Sequence, residues 1–255
     1  MRIARVSVPE VSGPVFGVIN GTNIDIIKGH PFADIELTGV SFDLDKVKIL
    51  SPVLPSKVVC VGKNYADHAK ELGGEVPAEP VIFIKPSTTV IGENDPILLP
   101  SQSKNVHHEA ELAVVISHLC KNVEVSRAHE VILGYTVAND VTARDLQQSD
   151  GQWTRAKSFD TFCPLGPWIE TQIDPTNLDI SCEVNGEIKQ SGNTSDMVRG
   201  AHEMVSWISK VMTLLPGDVI LTGTPAGVGP IVNGDVVEVT IAGIGTLANP
   251  VKQGV

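Results

Sequence analysis

At 255 residues, with 42% hydrophobic and 19% charged residues, the chain can bury one sizeable core and is neither disordered nor fibrous. A formal net charge of −11 argues against nucleic acid as a partner, and no apolar run is long enough to cross a membrane as a helix. Cys60, Cys120, Cys163 and Cys182 are too scattered for a zinc site or a disulfide framework and read as buried, reduced thiols.

The basic start, Met1 to Arg5, meets Pro9 and Gly13 instead of an apolar h-region, which predicts a cytoplasmic protein. Residues 1–50 hold few chemically active groups and one hairpin, VFGVINGTNIDII, so they are expected to form a small β region. Asn20-Gly21, Asn185-Gly186 and Asn233-Gly234 each lie between short β-branched segments, the signal for a type I′ hairpin turn. Residues 51–255 read as strands, KVVCVG, PVIFIK, ELAVVI, VILGYTVAND, ISCEV, DVILTG and DVVEVTI, in one catalytic domain. A short helix is expected between Asn64 and Gly73-Gly74. A long one is expected between Thr194 and Leu215, where Met197, Ala201, Met204, Val205, Ile208, Val211, Met212 and Leu215 recur at helical spacing until Pro216-Gly217.

Three groups of residues suggest chemistry. His68 and Glu71, three apart on the short helix, share a face, as a base and its orienting carboxylate would, although such pairs are often incidental. Glu109 and Glu111, two apart at the start of an apolar strand, point to one face, and Asp140 ends another strand. Buried together without a cation they would repel, and a hard divalent ion would relieve this; an exposed Glu-x-Glu at a sheet edge is the commoner case. Lys157 lies in a polar segment and by itself would pass for a solvated lysine. GTPAGVGP lacks the ending of a P-loop and the spacing of a dinucleotide fingerprint, so its glycines are expected to let the backbone approach a ligand.

In order and spacing, GKNYADHAKEL, FIKPSTTVIG, HHEAELAVVI, ANDVTARDLQ, KSFDTFCPLGP and LTGTPAGVGP resemble the catalytic domain of the fumarylacetoacetate hydrolase family, from about Lys57 to the C-terminus. The resemblance implies a mainly β (α+β) fold, a mixed β-sandwich roll with a small N-terminal β appendage, usually homodimeric. It implies a magnesium ion on Glu109, Glu111 and Asp140, with manganese or calcium as alternatives, and Lys157 beside it. Thr224 would bond the substrate carboxylate, Arg144 and Gln147 would lie near the pocket, and Lys85 would be a basic group at the cleft. His68 and Glu71 match the His-x-x-Glu dyad of members that act on acylpyruvates and oxaloacetate.

The expected activity is therefore cleavage of a carbon–carbon bond in a small 2-oxo acid carrying a second carbonyl, by acylpyruvate hydrolysis or oxaloacetate decarboxylation. The alternatives are a 2-hydroxyhepta-2,4-diene-1,7-dioate isomerase and, in another class, a β-sandwich binding module with a structural cation. The first 50 residues are much shorter than the N-terminal domain of animal fumarylacetoacetase, which argues against that enzyme's own substrate.

Overall fold

The computed structural model describes residues 1–9, 11–71 and 73–254. Its strands, in chain order, are β1 Arg2–Ser7, β2 Val15–Asn20, β3 Asn23–Ile27, β4 Leu37–Asp43, β5 Lys48–Leu50, β6 Val58–Gly62, β7 Val81–Lys85, β8 Val90–Ile91, β9 Ile97–Leu99, β10 Val106–His108 and β11 Ala110–Ile116. They continue with β12 Ile132–Asn139, β13 Thr142–Ala143, β14 Cys163–Glu170, β15 Asp179–Val184, β16 Glu187–Asn193, β17 Val219–Leu221, β18 Gly229–Pro230, β19 Val236–Ile241 and β20 Gly245–Gln253. The α-helices are α1 Ala66–Glu71, α2 Arg144–Asp150, α3 Thr154–Lys157 and α4 Ala201–Val211.

Strand β11 organises the core. All seven of its residues are buried, and it lies between β12 and β17, antiparallel to both. A strand covered on both faces needs no polar alternation, which is why AELAVVI is an almost unbroken apolar run. Leu112, Val114 and Ile116 join Ile180, Cys182, Val237, Val239 and Ile241 of a second sheet in the largest apolar cluster. Ala113 and Val115, pointing the other way, pack with Val58, Cys60, Leu165, Ile169, Val219 and Leu221.

The large sheet has twelve strands in the order β4-β3-β2-β1-β14-β12-β11-β17-β6-β7, with β5 on β1 and β8 on β14. The second sheet runs β16-β15-β19-β20-β9, and a third, β13-β10-β18, closes one end. Two packed sheets with few helices make the sheet-rich α+β roll that the resemblance implied. Residues before Ser51 continue the large sheet, because β1 pairs with β14, while Ala4, Val6, Val8, Ile24 and Ile26 form a small cluster of their own. No helix among the described residues is long and apolar enough to cross a membrane.

Three local expectations change. Only Asn185-Gly186 forms the expected type I′ turn, with both residues at positive φ between Val184 and Glu187. The first hairpin pairs Asn20 with Asn23, so Gly21 and Thr22 are its central residues and only Gly21 has positive φ, the type II′ pattern. At Asn233-Gly234 the amide of Asp235 bonds the carbonyl of Val232 and only Gly234 has positive φ, a turn leading into β19 rather than a hairpin. The long helix is confined to 201–211. Asn193 and Asp196 form a capping box on a separate 3-10 turn at Thr194–Asp196, Met197 bridges Tyr65, and Gly200 starts the helix with its amide on Glu203. The apolar spacing runs past both ends because residues outside the helix pack on the same core.

Candidate active site

The register of β11 and β12 brings the three acids together. Ala110 pairs with Asn139 and Glu111 with Ala138, and the amide of Asp140 donates to the carbonyl of Glu109 at 2.8 Å. Glu109, Glu111 and Asp140 are 4%, 2% and 1% exposed, and each offers an oxygen within 4.8 Å of the others. Burial of this density of negative charge is met by three cations, themselves buried. Lys157, at the end of α3, donates to Glu109 at 2.8 Å and to Asp140 at 2.6 Å. Lys85, at the end of β7, bonds Asp140, and Arg144, opening α2, bonds Glu109 and Gln147.

The balance is uneven. Glu109 has two cationic partners and Asp140 has two, but the Glu111 carboxylate accepts only from the Gly223 amide, at 2.6 Å, among the described residues. Burial pushes the Glu111 carboxyl well above the usual range, and the negative charges of Asp140 and Glu109 push it the same way. Burial pushes Glu109 up as well, but Lys157 and Arg144 outweigh it and hold that carboxyl well below its ordinary value. For Lys157, burial favours the neutral amine, yet Asp140 and Glu109 prevail and raise its pKa. Three oxygen donors this close suit a coordination shell of radius about 2.0–2.6 Å, whose members lie up to about 4–5 Å apart. The unpartnered charge on Glu111 is what a divalent cation would satisfy. The donor set therefore fits a hard cation.

His68, on α1, faces the same cavity, which is also lined by Val61, Gly62, Lys63, Phe83, Arg144, Gln147, Trp153, Lys157, Thr224 and the three acids. Its Nδ1 lies 3.0 Å from one oxygen of Glu71, and the other oxygen of Glu71 accepts from the Gly227 amide at 2.9 Å. An ionised carboxylate can only accept, so Nδ1 is the donor in this bond, and in the neutral imidazole the lone pair falls to Nε2. The enclosed space is about 20 Å³, enough for water or an ion, and Phe83 and Trp153 also line a neighbouring open groove of about 700 Å³.

Of the ten residues singled out from sequence, eight line this cavity. Glu71 reaches it through His68, and Lys85 is fully buried behind Asp140, bonding that carboxylate and the carbonyl of Val141 in place of a substrate. Lys157 is 2% exposed and helical, not a solvated loop residue. The glycine-rich loop also differs in use. Gly223, at φ +98°, would set a Cβ 2.8 Å from that of Asn64, and a Cβ on Gly227, at φ +100°, would collide with the carbonyl of Lys189. These glycines let protein backbone approach protein, and their amides hold Glu111 and Glu71.

Gln190 of β16 was not visible from sequence. Its Oε1 accepts from the amide of Ala110 and from His108 Nδ1, both at 3.0 Å, and its Nε2 donates to Thr224 Oγ1 at 2.7 Å and to the carbonyl of Pro225 at 2.8 Å. Because Thr224 accepts from Gln190, its own hydroxyl proton is free to point into the cavity it lines.

Residues 57–252 match the family described as fumarylacetoacetate (FAA) hydrolase C-terminal, and residues 1–52 match one described as Rv2993c-like, N-terminal. The chain is 47% identical over 218 residues to the mitochondrial oxaloacetate tautomerase Fahd2a of Rattus norvegicus, covering 81% of this chain and 70% of that one. It superposes with TM-score 0.94 on the 5-carboxymethyl-2-hydroxymuconate delta-isomerase of Mycobacterium smegmatis, at 52% identity and full coverage of both chains. It also matches the maleylpyruvate hydrolase of Sphingobium sp. SYK-6, solved with manganese(II) and pyruvate, at TM-score 0.83, 32% identity and full coverage of both. The chain belongs to the fumarylacetoacetate hydrolase family, whose relatives here are a tautomerase, an isomerase and a hydrolase.

Proposed function

We propose that the protein cleaves a carbon–carbon bond in a small 2-oxo acid carrying a second carbonyl, by acylpyruvate hydrolysis, oxaloacetate decarboxylation or both. The observation that carries this reading is the His68–Glu71 pair, which presents a basic nitrogen to the cavity that also holds the acid cluster and Lys157. Glu109, Glu111 and Asp140 would hold a divalent cation, magnesium or else manganese or calcium, which when bound polarises the substrate's 2-oxo group.

The Thr224 hydroxyl donates to the substrate carboxylate, with Gln147 and Arg144 at the same wall. His68 Nε2 takes a proton from water as its oxygen attacks the distal carbonyl. The bond between that carbonyl and the adjacent carbon breaks, its electron pair passing into the pyruvate enolate. An ammonium has three donors, and Lys157 spends two on Glu109 and Asp140, so the third is available to the enolate oxygen. The proton on His68 returns to the enolate carbon, giving pyruvate and a carboxylic acid. In decarboxylation, carbon dioxide leaves instead and no water is activated.

A second reading is isomerisation or tautomerisation, favoured by the names of the relatives at 47% and 52% identity. There the same imidazole would move a proton between carbon and oxygen with no bond cleaved. Magnesium-loaded protein offered an acylpyruvate, oxaloacetate and a hydroxydienedioate, with products identified, decides between them. Pyruvate from the first two supports cleavage, shifted double bonds alone support isomerisation, and no turnover of any would leave a cation-binding module. Four buried, unpaired cysteines favour a cytoplasmic setting, and the sheet-terminal β7, with Val81 and Ile84 exposed, favours a homodimer. Light scattering on the purified protein tests the latter.

A further inference from the structure

Among the described residues the cavity is lined by three lysine or arginine side chains, and two of them are committed. Arg144 is bound to Glu109 and Lys157 to Glu109 and Asp140. Lys63 is the third. Among the described residues it makes no salt bridge, and no side-chain hydrogen bond of its own. Its surroundings hold it in place. It has φ +57°, in the left-handed region that a non-glycine residue adopts only at a cost. The next residue, Asn64, is 2% exposed and clamped, its amide donating to the carbonyls of Arg199 and Thr222 at 2.9 and 2.8 Å while its carbonyl accepts from the Arg199 amide. The Lys63 ammonium lies against Gly74, where a Cβ would come within 2.9 Å of Nζ. A strained turn, a buried clamp and a bare glycine together station one free cation at the wall of the site.

We propose that Lys63 is the specificity-determining residue for a second, distal carboxylate, so that the substrate is a 2-oxo dicarboxylate and not a 2-oxo acid ending in a neutral acyl group. This rests on the reading of the site as one for 2-oxo acids. The charges agree with it. Glu71, Glu109, Glu111 and Asp140 balance Lys63, Lys85, Arg144 and Lys157, and a divalent cation then leaves two positive charges for a dianion to neutralise. The other way out of the cavity passes Phe83 and Trp153 into a groove whose remaining lining is Val81, Ile82, Ile84, Pro86, Gly151, Gln152, Thr154 and Ser158, with no cation among them. An alkyl tail would go there and a carboxylate would not.

The test compares two five-carbon ligands that the proposed chemistry cannot cleave, 2-oxoglutarate and 2-oxopentanoate, which differ in having a carboxylate or a methyl at the far end. Calorimetric Kd values are measured for both on magnesium-saturated wild type, Lys63→Met and Lys63→Arg, with folding checked by thermal melts. The expected result is about tenfold tighter binding of 2-oxoglutarate by wild type, equivalent to about 1.4 kcal/mol. The preference should disappear in Lys63→Met, return in Lys63→Arg and weaken as salt is raised. Equal binding of both ligands by wild type, or an unchanged preference in Lys63→Met, overturns the role of Lys63 and leaves the 2-oxo acid reading standing. Failure of wild type to bind either ligand overturns both.

Discussion

The acid cluster and the His68–Glu71 pair face one cavity but are supported in opposite ways. Glu109, Glu111, Asp140, Lys85, Arg144 and Lys157 are all at most 4% exposed and project from ends of strands and helices that the central sheet locks. The dyad sits on a helix of six residues, too short to persist by propensity, with Glu71 half-exposed. Charge must be held still to be useful at a site of this kind, because a buried ion that moves loses its partners. A proton carrier that has to admit substrate needs the opposite, an element cheap to displace.

Breaking the rigid half should have the largest effect, and its form depends on which acid is removed. Asp140→Ala leaves Lys85 and Lys157 short of a shared carboxylate, so it should lose divalent-ion affinity and also about 3–5 kcal/mol of stability. Glu111→Gln orphans no cation. It should lose ion affinity to a similar degree while melting, in chelator, no lower than wild type. Titration with magnesium and denaturant unfolding measure both quantities, and equal destabilisation by the two variants would refute the uneven charge balance.

The dyad should be separable from the cluster by reaction. His68→Ala should slow acylpyruvate hydrolysis by about 10²–10⁴-fold, the size of a lost general base, and oxaloacetate decarboxylation much less. Lys157→Met should damage both, since each passes through the same enolate. Equal losses in His68→Ala would assign the imidazole to positioning and not to water activation. Dynamics supply a gentler probe. Amides of 66–71 should exchange far faster than those of β11, and oxalate with magnesium should slow the first and leave the second unchanged. Uniform protection without ligand would remove the contrast.

Glu170 provides a control remote from both regions. Burial pushes its carboxyl up, but hydrogen bonds from the Met1 amino group and the Gln172 amide outweigh this and lower it below the usual value. A carboxyl with a lower pKa in the folded chain stabilises it above the unfolded value, and the increment vanishes as pH falls through the folded value. Glu170→Gln should therefore cost about 0.5–1 kcal/mol near neutral pH and progressively less below about pH 4. Chemical denaturation at pH 7 and pH 3 checks the sign, and a constant difference would contradict it.

Sequence made the rigid half legible to the extent that its residues obey short-range rules. Glu109 and Glu111 follow from the two-residue period of a strand, and Asp140 from its place at a strand end. Lys157 does not, because α3 is only four residues long and has no period to read; resemblance alone brought it to the site. That Asp140 and Glu109 have buried cationic partners was equally hidden, since Lys85 is 55 residues from Asp140 and Lys157 is 48 from Glu109. Gln190 and Lys63 passed unnoticed for the same reason. The meaning of Gln190 lies in partners 34 to 82 residues away, and that of Lys63 in its having no salt bridge among the described residues.

Glu71, the last residue of α1, bridges that helix and the glycine-rich loop with one carboxylate, Oε2 on His68 and Oε1 on Gly227. The two contacts tie the base to the loop. Because His68 and Glu71 both belong to α1, swinging that helix outward would break the bond to Gly227 and carry the imidazole and its orienting oxygen away from the acid cluster as a pair. A molecule that propped the helix open would then face the acid cluster without the imidazole beside it, a loss of position and not of basicity.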